Sequence, residues 1–313
     1  MIIGIDIGGT STKIGLVDGG KVIATTRIPT TGHTDEFAFA DALAEAALQL
    51  TLRRRQGAMA EEPDNGQLTT AIGIGAPNAN QLTGIIEMAP NLPWRNDVPL
   101  AKMVQERTGI RSVLGNDANA AALGEWRYGA GQGLNDFLLV TLGTGVGSGF
   151  IVNGQLMLGS HGNAGELGHS IIVMDGRQCT CGRKGCLEAY VSIRGLRRTY
   201  TELDGDPDVL KEEGVLCIAR AAEQGDAAAL QTFRHAARWL GVGLANAVAV
   251  TGPERIVLFG GIARNGELLM APLRERFQEY LLNIYHGRVD LMTSALPEDD
   301  AAILGAAALT TLG

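Results

Sequence analysis

The sequence predicts an α/β protein built from two related lobes. Short apolar strands with glycine-rich turns alternate with stretches of helical periodicity. The order strand, glycine turn, strand and hairpin also occurs twice, as MIIGIDIGGTSTKIGLVDGGKV from residue 1 and FLLVTLGTGVGSGFIVNGQLML from residue 137. An internal repeat of this kind indicates two lobes with a cleft between them, and such clefts are favoured ligand sites.

The first half opens on three strands and continues with a helix. Short turns at Gly8-Gly9-Thr10 and Gly19-Gly20 predict that the three strands are antiparallel, because such links close hairpins. The helix carries its apolar residues on one stripe, namely Phe39, Leu43, Ala46, Ala47 and Leu50. In order, the predicted elements are strands 2–7, 12–17 and 21–28, helix 35–56, a polar loop 61–67, strand 69–75, helix 99–109 and strand 111–115.

The second half repeats this pattern and adds a long helix. Its predicted elements are strand 137–142, a turn 143–149, a hairpin 149–158 about Asn153-Gly154, a helix near 226–251, strand 255–259 and a final helix near 300–312. We expect the final helix to pack on the first lobe. Residues 1–115 and 298–313 then form a small N-terminal lobe, and 116–297 form a large C-terminal lobe with a metal-binding loop.

Composition argues against several classes of partner. The chain has 26 Lys and Arg against 34 Asp and Glu, a net charge of −8, and no long basic run, so nucleic acid is not expected as a partner. No apolar stretch approaches the roughly 18 residues of a bilayer span. The first strand begins at residue 2 without signal-peptide features. We therefore expect a cytoplasmic protein without a membrane partner.

The first glycine turn has the composition of a phosphate site. Gly8, Gly9 and Thr10 follow a buried strand, and glycine lets backbone N–H groups approach an anion closely. Asp6, just before the turn, suits a hydrated Mg²⁺ ion, and Lys13 supplies a further polar contact. An ordinary hairpin explains the turn equally well, because hairpin turns also need glycine.

A second turn of this type, formed by Gly143, Thr144 and Gly145, lies in the second half. Its glycine run resembles a dinucleotide-binding fingerprint, but that motif requires a helix to follow, and a hairpin is predicted here instead. The GxxxxGK[ST] phosphate loop is absent from the sequence. Paired glycine turns between hairpin strands resemble those of the actin-like/hexokinase (ribonuclease H-like) ATPase fold.

A cluster of metal-binding residue types occupies the segment HSIIVMDGRQCTCGRKGCLE. His169, Cys179, Cys181 and Cys186 offer one nitrogen and three sulfur ligands, the number that a closed tetrahedral zinc site needs. With no open coordination position, the zinc would be structural. The alternative is three free thiols in a surface loop. Cys217, in an apolar helical setting, is predicted to be a core residue.

Several motifs along the chain carry a family resemblance. They are IGIDIGGT, GAPN, APNLPW, NDANAAALGE, LGTGVGSG, GNAGELGH and CTCGRKGCLE. Together they resemble the ROK family of bacterial sugar kinases, from residue 2 to the closing GAAAL. Glucokinases are its most common members with this pattern. The resemblance implies ATP-dependent phosphorylation of a hexose, glucose first, at the 6-hydroxyl, with Mg²⁺ and a structural Zn²⁺ ion.

The resemblance also implies which residues act on the sugar. The general base is the Asp of the ND pair, which corresponds to Asp117, and Asn116 beside it binds sugar hydroxyls. Because Asp117 is predicted at the start of a helix, the residues alone also fit an N-terminal helix cap. Both roles are compatible at one helix end.

Further sugar ligands follow from the same resemblance. They are Asn91, Glu166, His169 and Glu188. His169 would bind Zn²⁺ through one ring nitrogen and a sugar hydroxyl through the other, so that the metal holds the sugar ligands in place. Gly260 and Gly261 join the two glycine turns as nucleotide contacts.

Two motifs depart from the family pattern. Asn78 stands in GAPN where most relatives have Gly, and the common NLPGW is shortened to NLPW. Other acceptors therefore stay open: N-acetylglucosamine, N-acetylmannosamine or fructose. Polyphosphate stays open as a donor.

A non-enzymatic regulator that responds to sugar is a third hypothesis. Such family members carry a helix-turn-helix domain before the kinase-like part, and here the first strand begins at residue 2. The resemblance implies a homodimer or homotetramer.

Overall fold

The computed structural model describes residues 1–58, 69–88, 92, 94 and 96–311, and of residues 53–58, 298 and 299 it describes the backbone alone. They pack into two compact units. Unit 1 comprises Met1–Gly133, Leu156–Ala164 and Ala295–Gly313, and unit 2 comprises Leu134–Gln155 and Gly165–Ser294. The predicted lobe boundaries, at 115/116 and 297/298, differ from the boundaries of these packing units. The division into lobes stays a prediction.

Strands and helices alternate along the chain. The strands are β1 (Ile2–Ile7), β2 (Ser11–Asp18), β3 (Lys21–Pro29), β4 (Ala71–Ala76), β5 (Ala79–Asn80), β6 (Ile85–Ile86), β7 (Ser112–Asn116), β8 (Phe137–Leu142), β9 (Val146–Val152), β10 (Gln155–Leu156), β11 (Arg255–Phe259) and β12 (Asp290–Thr293). The helices are α1 (Glu36–Ala58), α2 (Leu100–Thr108), α3 (Asp117–Tyr128), α4 (Glu188–Val191), α5 (Ile193–Glu202), α6 (Leu216–Glu223), α7 (Ala227–Thr251), α8 (Glu267–Tyr280) and α9 (Glu298–Ala308).

Each unit contains one five-stranded mixed sheet. The sheet of unit 1 has the order β3-β2-β1-β4-β7, and that of unit 2 the order β10-β9-β8-β11-β12. In unit 1, β1, β2 and β3 pair antiparallel, whereas β1, β4 and β7 pair parallel. In unit 2, β8 is antiparallel to β9, and β8, β11 and β12 are parallel. The shared order confirms the internal repeat.

The predicted hairpins form, with one difference. Asn153 and Gly154 have φ values of 51° and 70°, as the turn between β9 and β10 requires. The predicted turn 143–149 is too long, because Leu142 pairs with Val146 and closes a turn of three residues. Gly147 and Gly149 therefore lie in β9, although glycine is typical of turns.

The predicted apolar stripe of α1 faces the core of unit 1. Phe39, Leu43, Ala47 and Leu50 are buried, and Ala46 packs against the same cluster while half-buried. Burial of such a stripe is the main source of stability for a helix of this kind. Residues 61–67, predicted as a polar loop, lie outside the described residues.

The C-terminal helix α9 packs on β1 and β4 of unit 1, as predicted. The approach is close, since a Cβ atom built at Gly73 would lie 1.9 Å from the carbonyl oxygen of Ala306. A Cβ at Gly4 would lie 2.1 Å from the carbonyl oxygen of Ile303. Glycine in these two strands thus lets the helix lie directly on the sheet.

Among the described residues, no helix is both long enough and apolar enough to span a bilayer.

Candidate active site

Predicted site residues of unit 1 lie at one edge of its sheet. Asp6 is the penultimate residue of β1, Ala76 ends β4, and Asn116 ends β7. These three strands are parallel, and their register pairs Asp6 with Gly75 and Ala76 with Asn116. Since the carboxyl ends of parallel strands form the usual ligand-binding edge of an α/β sheet, this edge is the candidate site of unit 1.

Asn116 is the residue that caps α3. Its Oδ1 accepts hydrogen bonds from the backbone N–H groups of Ala118, at 2.9 Å, and Asn119, at 3.2 Å. Asp117 is the first helical residue, and its Oδ1 accepts from the Ala118 N–H at 2.8 Å. The cap considered for Asp117 therefore belongs to its neighbour. A carboxylate at the first turn also interacts favourably with the helix dipole.

Asp117 and Asp6 are carboxyl groups with altered proton affinity. Water reaches the Asp117 side chain, yet desolvation by the surrounding protein raises the pKa of Asp117, while hydrogen bonds from backbone N–H groups lower it by less. Desolvation also raises the pKa of Asp6 to about 6. The negative charge of Asp117 adds to this rise, and the positive charge of Lys13 opposes it. The two carboxyl groups therefore interact, as functional pairs commonly do.

The first glycine turn joins β1 to β2. The Gly8 N–H donates to the Ser11 carbonyl at 3.2 Å, and Gly9 and Thr10 are exposed. Lys13 lies opposite Asp6 in the antiparallel pair. Asp6 and Lys13 thus flank an exposed glycine turn, an arrangement that suits a hydrated Mg²⁺ ion with phosphate groups, because Mg²⁺ prefers oxygen ligands and keeps several waters.

The second glycine turn joins β8 to β9 in unit 2. The Gly143 N–H donates to the Gly145 carbonyl at 3.0 Å, and the Gly143 carbonyl accepts from the Ile193 N–H at the start of α5 at 2.9 Å. Gly260, which follows β11, lies against the end of β8, since a Cβ there would come 2.6 Å from the Leu142 carbonyl oxygen. Both predicted glycine elements of unit 2 therefore meet at the carboxyl edge of its sheet.

Glu188 connects the second glycine turn to the cysteine-rich segment. Its side chain is 8% exposed, and its Oε2 accepts from the Val146 N–H at 3.0 Å. Its Oε1 lies 3.2 Å from the Thr180 hydroxyl and 3.8 Å from Cys179 Sγ. A Cβ atom at Gly145 would lie 2.7 Å from Oε2, so only glycine leaves room for this carboxylate. Sequence reasoning predicted Glu188 but missed its contact with the turn.

Glu166 is exposed and precedes a short 3-10 helix, Leu167–His169. Ser148 of β9 holds the chain on both sides of it, because its hydroxyl donates to the Gly165 carbonyl and accepts from the Leu167 N–H. Sequence reasoning missed Ser148, which it assigned to a glycine turn. A buried serine on a strand could have indicated a structural role for Ser148, but the sequence analysis placed the start of β9 after this residue.

The four predicted metal ligands come together in unit 2. His169 Nδ1 lies 3.7 Å from Cys179 Sγ, Cys181 Sγ lies 3.6 Å from Cys186 Sγ, and all four ligand atoms lie within 4.8 Å of one another. With Zn–S bonds of about 2.3 Å, sulfur atoms at the corners of a tetrahedron lie about 3.8 Å apart. The donor set and spacing therefore fit a structural zinc ion. Nδ1 faces the thiols, which leaves Nε2 for another partner.

The thiols of this cluster differ in proton affinity. Burial, and then the neighbouring thiols, raise the pKa of Cys186 to about 12, whereas desolvation of Cys181 is outweighed by hydrogen bonds and by the positive charge of Arg183, which lower the pKa of Cys181. A metal ion binds cysteines as thiolates, so its binding would displace the proton of Cys186. Cys217 is buried outside the cluster, as predicted for a core residue.

The chain folds tightly around the metal cluster. Gly185 has a φ of 80°, and a Cβ atom there would meet the Val173 carbonyl oxygen at 1.7 Å. Arg177 anchors the loop to α4 and α5, because its guanidinium donates to Ala189 O at 3.2 Å, Gly195 O at 3.1 Å and Thr199 Oγ1 at 2.9 Å. Arg177 is a supporting residue that the sequence patterns did not reveal.

The two departures from the family pattern differ in outcome. Asn78 adopts a φ of 53°, a left-handed conformation that Asn tolerates better than most residues other than Gly, so the backbone of a glycine position is kept. Its Nδ2 donates to the Glu87 carbonyl at 3.2 Å. Asn91, the predicted sugar ligand in the shortened motif, lies outside the described residues.

Two sheets of equal strand order, each with a glycine turn at the carboxyl edge, define the class of protein. The fold is α/β and of the actin-like/hexokinase (ribonuclease H-like) ATPase type, as predicted.

Comparison with known proteins then gives the family. The sequence pattern of the ROK family matches residues 2–312, and the chain belongs to that family. The glucokinase of Thermotoga maritima is 35% identical over 323 residues, covering 98% of this chain and 96% of that protein.

Solved structures agree with this assignment. The ROK family glucokinase from Streptomyces griseus, crystallised with glucose and AMPPNP, is 34% identical, covers 98% of both chains and superposes with a TM-score of 0.79. A ROK family transcriptional regulator, a homologue of the E. coli MLC protein, is 27% identical, with a TM-score of 0.84 over 99% of this chain and 77% of that chain. Kinases and regulators thus share the fold, and the site must decide between them.

Proposed function

We propose that this protein is an ATP-dependent glucokinase, which transfers the γ-phosphoryl group of ATP to the 6-hydroxyl of glucose. Similarity to glucokinases along nearly the whole chain supports this function. The observation that carries it is Asp117, a carboxylate with a raised pKa at the start of α3, on the sheet edge that also presents Asp6. Phosphoryl transfer to a sugar hydroxyl requires a general base, whereas binding of a sugar alone does not.

The proposed chemistry begins with deprotonation of the sugar. A sugar hydroxyl is a weak acid, so its proton must leave as the bond to phosphorus forms, and a positioned base is typically worth about 10²–10⁴-fold. Asp117 accepts this proton. Asn116 keeps its Nδ2 group for a sugar hydroxyl, since its Oδ1 is engaged by α3. Asn91, Glu166, His169 and Glu188 complete the proposed sugar ligands, and charge-assisted bonds of this kind discriminate strongly against analogues that lack a hydroxyl.

The nucleotide is proposed to bind at the glycine turns. The contacts are Gly8, Gly9, Thr10 and Lys13 in unit 1, and Gly143, Thr144, Gly145, Gly260 and Gly261 in unit 2. Asp6 would hold Mg²⁺, which supplies positive charge to the phosphate oxygens as charge builds on them. Lys13, opposite Asp6, adds a further positive charge.

The zinc ion of this proposal is structural. His169, Cys179, Cys181 and Cys186 would hold it, and its chemistry is to fix the ligand-bearing loop, not to polarise substrate. The proposal also includes a cytoplasmic location, a role in glucose catabolism and a homodimer or homotetramer. Light scattering on the purified protein measures the oligomer mass directly.

Release of ADP during incubation with ATP and a panel of hexoses tests the proposed function. We expect glucose to give the highest kcat/KM, with the phosphate on the 6-oxygen of the product. N-acetylglucosamine, N-acetylmannosamine and fructose are the alternative acceptors, and polyphosphate in place of ATP tests the donor. If the protein binds a sugar but releases no ADP with any hexose of the panel, a regulator would be favoured instead.

A further inference from the structure

Thr180 lies between two of the metal-ligand cysteines and contacts Glu188. Its Oγ1 is 3.2 Å from Glu188 Oε1, and an Arg194 Nη2 group lies 3.4 Å from the same hydroxyl. All three residues belong to unit 2. Neither Thr180 nor Arg194 is among the predicted site residues.

The chemistry of these groups fixes the direction of the hydrogen bonds. A guanidinium only donates, so the Thr180 oxygen accepts from Arg194. A carboxylate only accepts, so the Thr180 proton points to Glu188 Oε1. The three side chains therefore form a polarised chain that begins on a positive charge and ends on a negative one, and such chains strengthen each member bond.

The second oxygen of Glu188 is held independently. Oε2 accepts from the Val146 N–H at 3.0 Å, so the carboxylate is fixed at both oxygens. Glu188 is only 8% exposed, and a buried carboxylate is sensitive to the loss of any donor. These contacts hold the Glu188 carboxylate in one orientation, and its remaining lone pairs are available to a ligand in that orientation.

We propose that Thr180, supported by Arg194, is a positioning residue that orients Glu188 for sugar recognition. This inference rests on the proposed function, in which Glu188 accepts hydrogen bonds from sugar hydroxyls. Thr180 acts on sugar affinity through the carboxylate, and not through the metal ion that the adjacent cysteines hold.

Thr180→Val tests the inference, because it keeps the side-chain shape and removes the hydroxyl. Thr180 is exposed, so the exchange leaves no buried cavity. We expect the Kd for glucose, measured by calorimetry, and the KM for glucose to rise about five- to twentyfold, the effect of losing one charge-assisted bond at a partly exposed site. The KM for ATP and the zinc content should stay near those of the wild type. Thr180→Ser should restore glucose affinity.

Matched controls separate positioning from general disturbance. Thr201→Val removes an exposed hydroxyl that bonds only its own helix, at the Arg197 carbonyl, and should leave glucose affinity unchanged. Arg194→Ala should weaken glucose binding in the wild type, and less so in the Thr180→Val background, because the two residues act in one chain. Arg198→Ala, on the same helix, is the control for charge.

The outcomes have distinct meanings. Unchanged glucose affinity in Thr180→Val, or loss of zinc in step with affinity, would overturn the positioning role. So would an Arg194→Ala variant that raises the KM for ATP alone, since Arg194 would then act on phosphate. Failure of the proposed function looks different: the wild type would release no ADP, while calorimetry would still compare glucose affinities. If the wild type bound no glucose, both proposals would fall.

Discussion

At the scale of single residues, the backbone decides which side chain does what at the start of α3. Asn116 ends β7 in an extended conformation and caps the helix, so its carboxamide oxygen is occupied by backbone N–H groups. Asp117, one residue later, accepts from the Ala118 N–H at 2.8 Å and keeps lone pairs for a substrate. The division of labour between a cap and a proposed base therefore follows from a shift of one residue.

The raised pKa values of Asp117 and Asp6 predict an acid-sensitive enzyme. A carboxyl group whose pKa is raised is protonated at a higher pH. The ionised forms of Asp117 and Asp6, which we propose as base and as Mg²⁺ ligand, are therefore lost earlier as the pH falls. We expect kcat/KM for glucose to decline toward acid, with a midpoint near the raised pKa of Asp6, about 6, and not near the ordinary value of 3.8. Circular dichroism over the same range controls for unfolding. A level profile down to 3.8 would contradict the altered proton affinities.

Gly145 and Gly143 offer a contrast within one turn. A Cβ atom at position 145 would lie 2.7 Å from Glu188 Oε2, whereas one at 143 would meet nothing within 4 Å. We expect Gly145→Ala to displace Glu188, to weaken glucose binding and to lower the free energy of unfolding by about 1–3 kcal/mol. Gly143→Ala should leave glucose binding and the free energy of unfolding near those of the wild type, and should change only the binding of ATP. Calorimetry and chemical denaturation measure the two effects, and equal losses in both variants would argue against a steric cause.

At the scale of elements, the cysteine-rich loop is expected to depend on its metal ion. Cys181→Ser should lose zinc and weaken glucose affinity together, because His169 belongs both to the metal cluster and to the proposed sugar site. Cys217→Ser, in the core outside the cluster, is the matched control and should keep its zinc. Metal analysis and calorimetry provide the measurements. Intact wild-type protein without bound zinc would disprove the link.

Another element-scale prediction concerns α9 and the sheet beneath it. Gly73→Ala places a methyl group 1.9 Å from the Ala306 carbonyl oxygen, so the helix must shift, at a cost of at least about 1–3 kcal/mol in the free energy of unfolding. Gly75→Ala, two residues along the same strand, meets its first neighbour at 3.4 Å and should be tolerated better. Chemical denaturation compares the two variants. Equal stability would mean that α9 does not lie as described.

Elements were predicted well where one periodicity dominates. The apolar stripe of α1 and the glycine turns between β1, β2 and β3 are local signals, and they gave the right elements. The start of β9 was placed too late, because glycines at 147 and 149 look like turn residues while the pairing of Leu142 with Val146 makes them strand residues. Register of this kind depends on a partner strand, which a local pattern does not contain.

At the scale of the whole molecule, the internal repeat was the feature that the sequence predicted best. Both sheets have the same strand order, so the repeated motif at residues 1 and 137 corresponds to a repeated fold. The ligand residues of the metal cluster were also predictable, since cysteine and histidine spacing is a local property.

Other features of the site required the fold. The bond from the Val146 N–H to Glu188 joins residues 42 positions apart, and the charge of Asp117 acts on Asp6 from 111 residues away. Contacts between residues so far apart in the chain cannot be predicted from composition or from the spacing of residues. The role of Asp117 itself came from the family resemblance, because a helix start predicts a cap before it predicts a base.

Asp117→Asn provides the most direct test of the central claim, that Asp117 removes the proton of the sugar hydroxyl. The exchange keeps the size of the side chain and its position on α3, and it removes the proposed base. We expect the rate of glucose phosphorylation to fall by at least about 10²–10⁴-fold, while the Kd for glucose changes only a few-fold. A variant that still phosphorylates glucose at close to the wild-type rate would contradict the account.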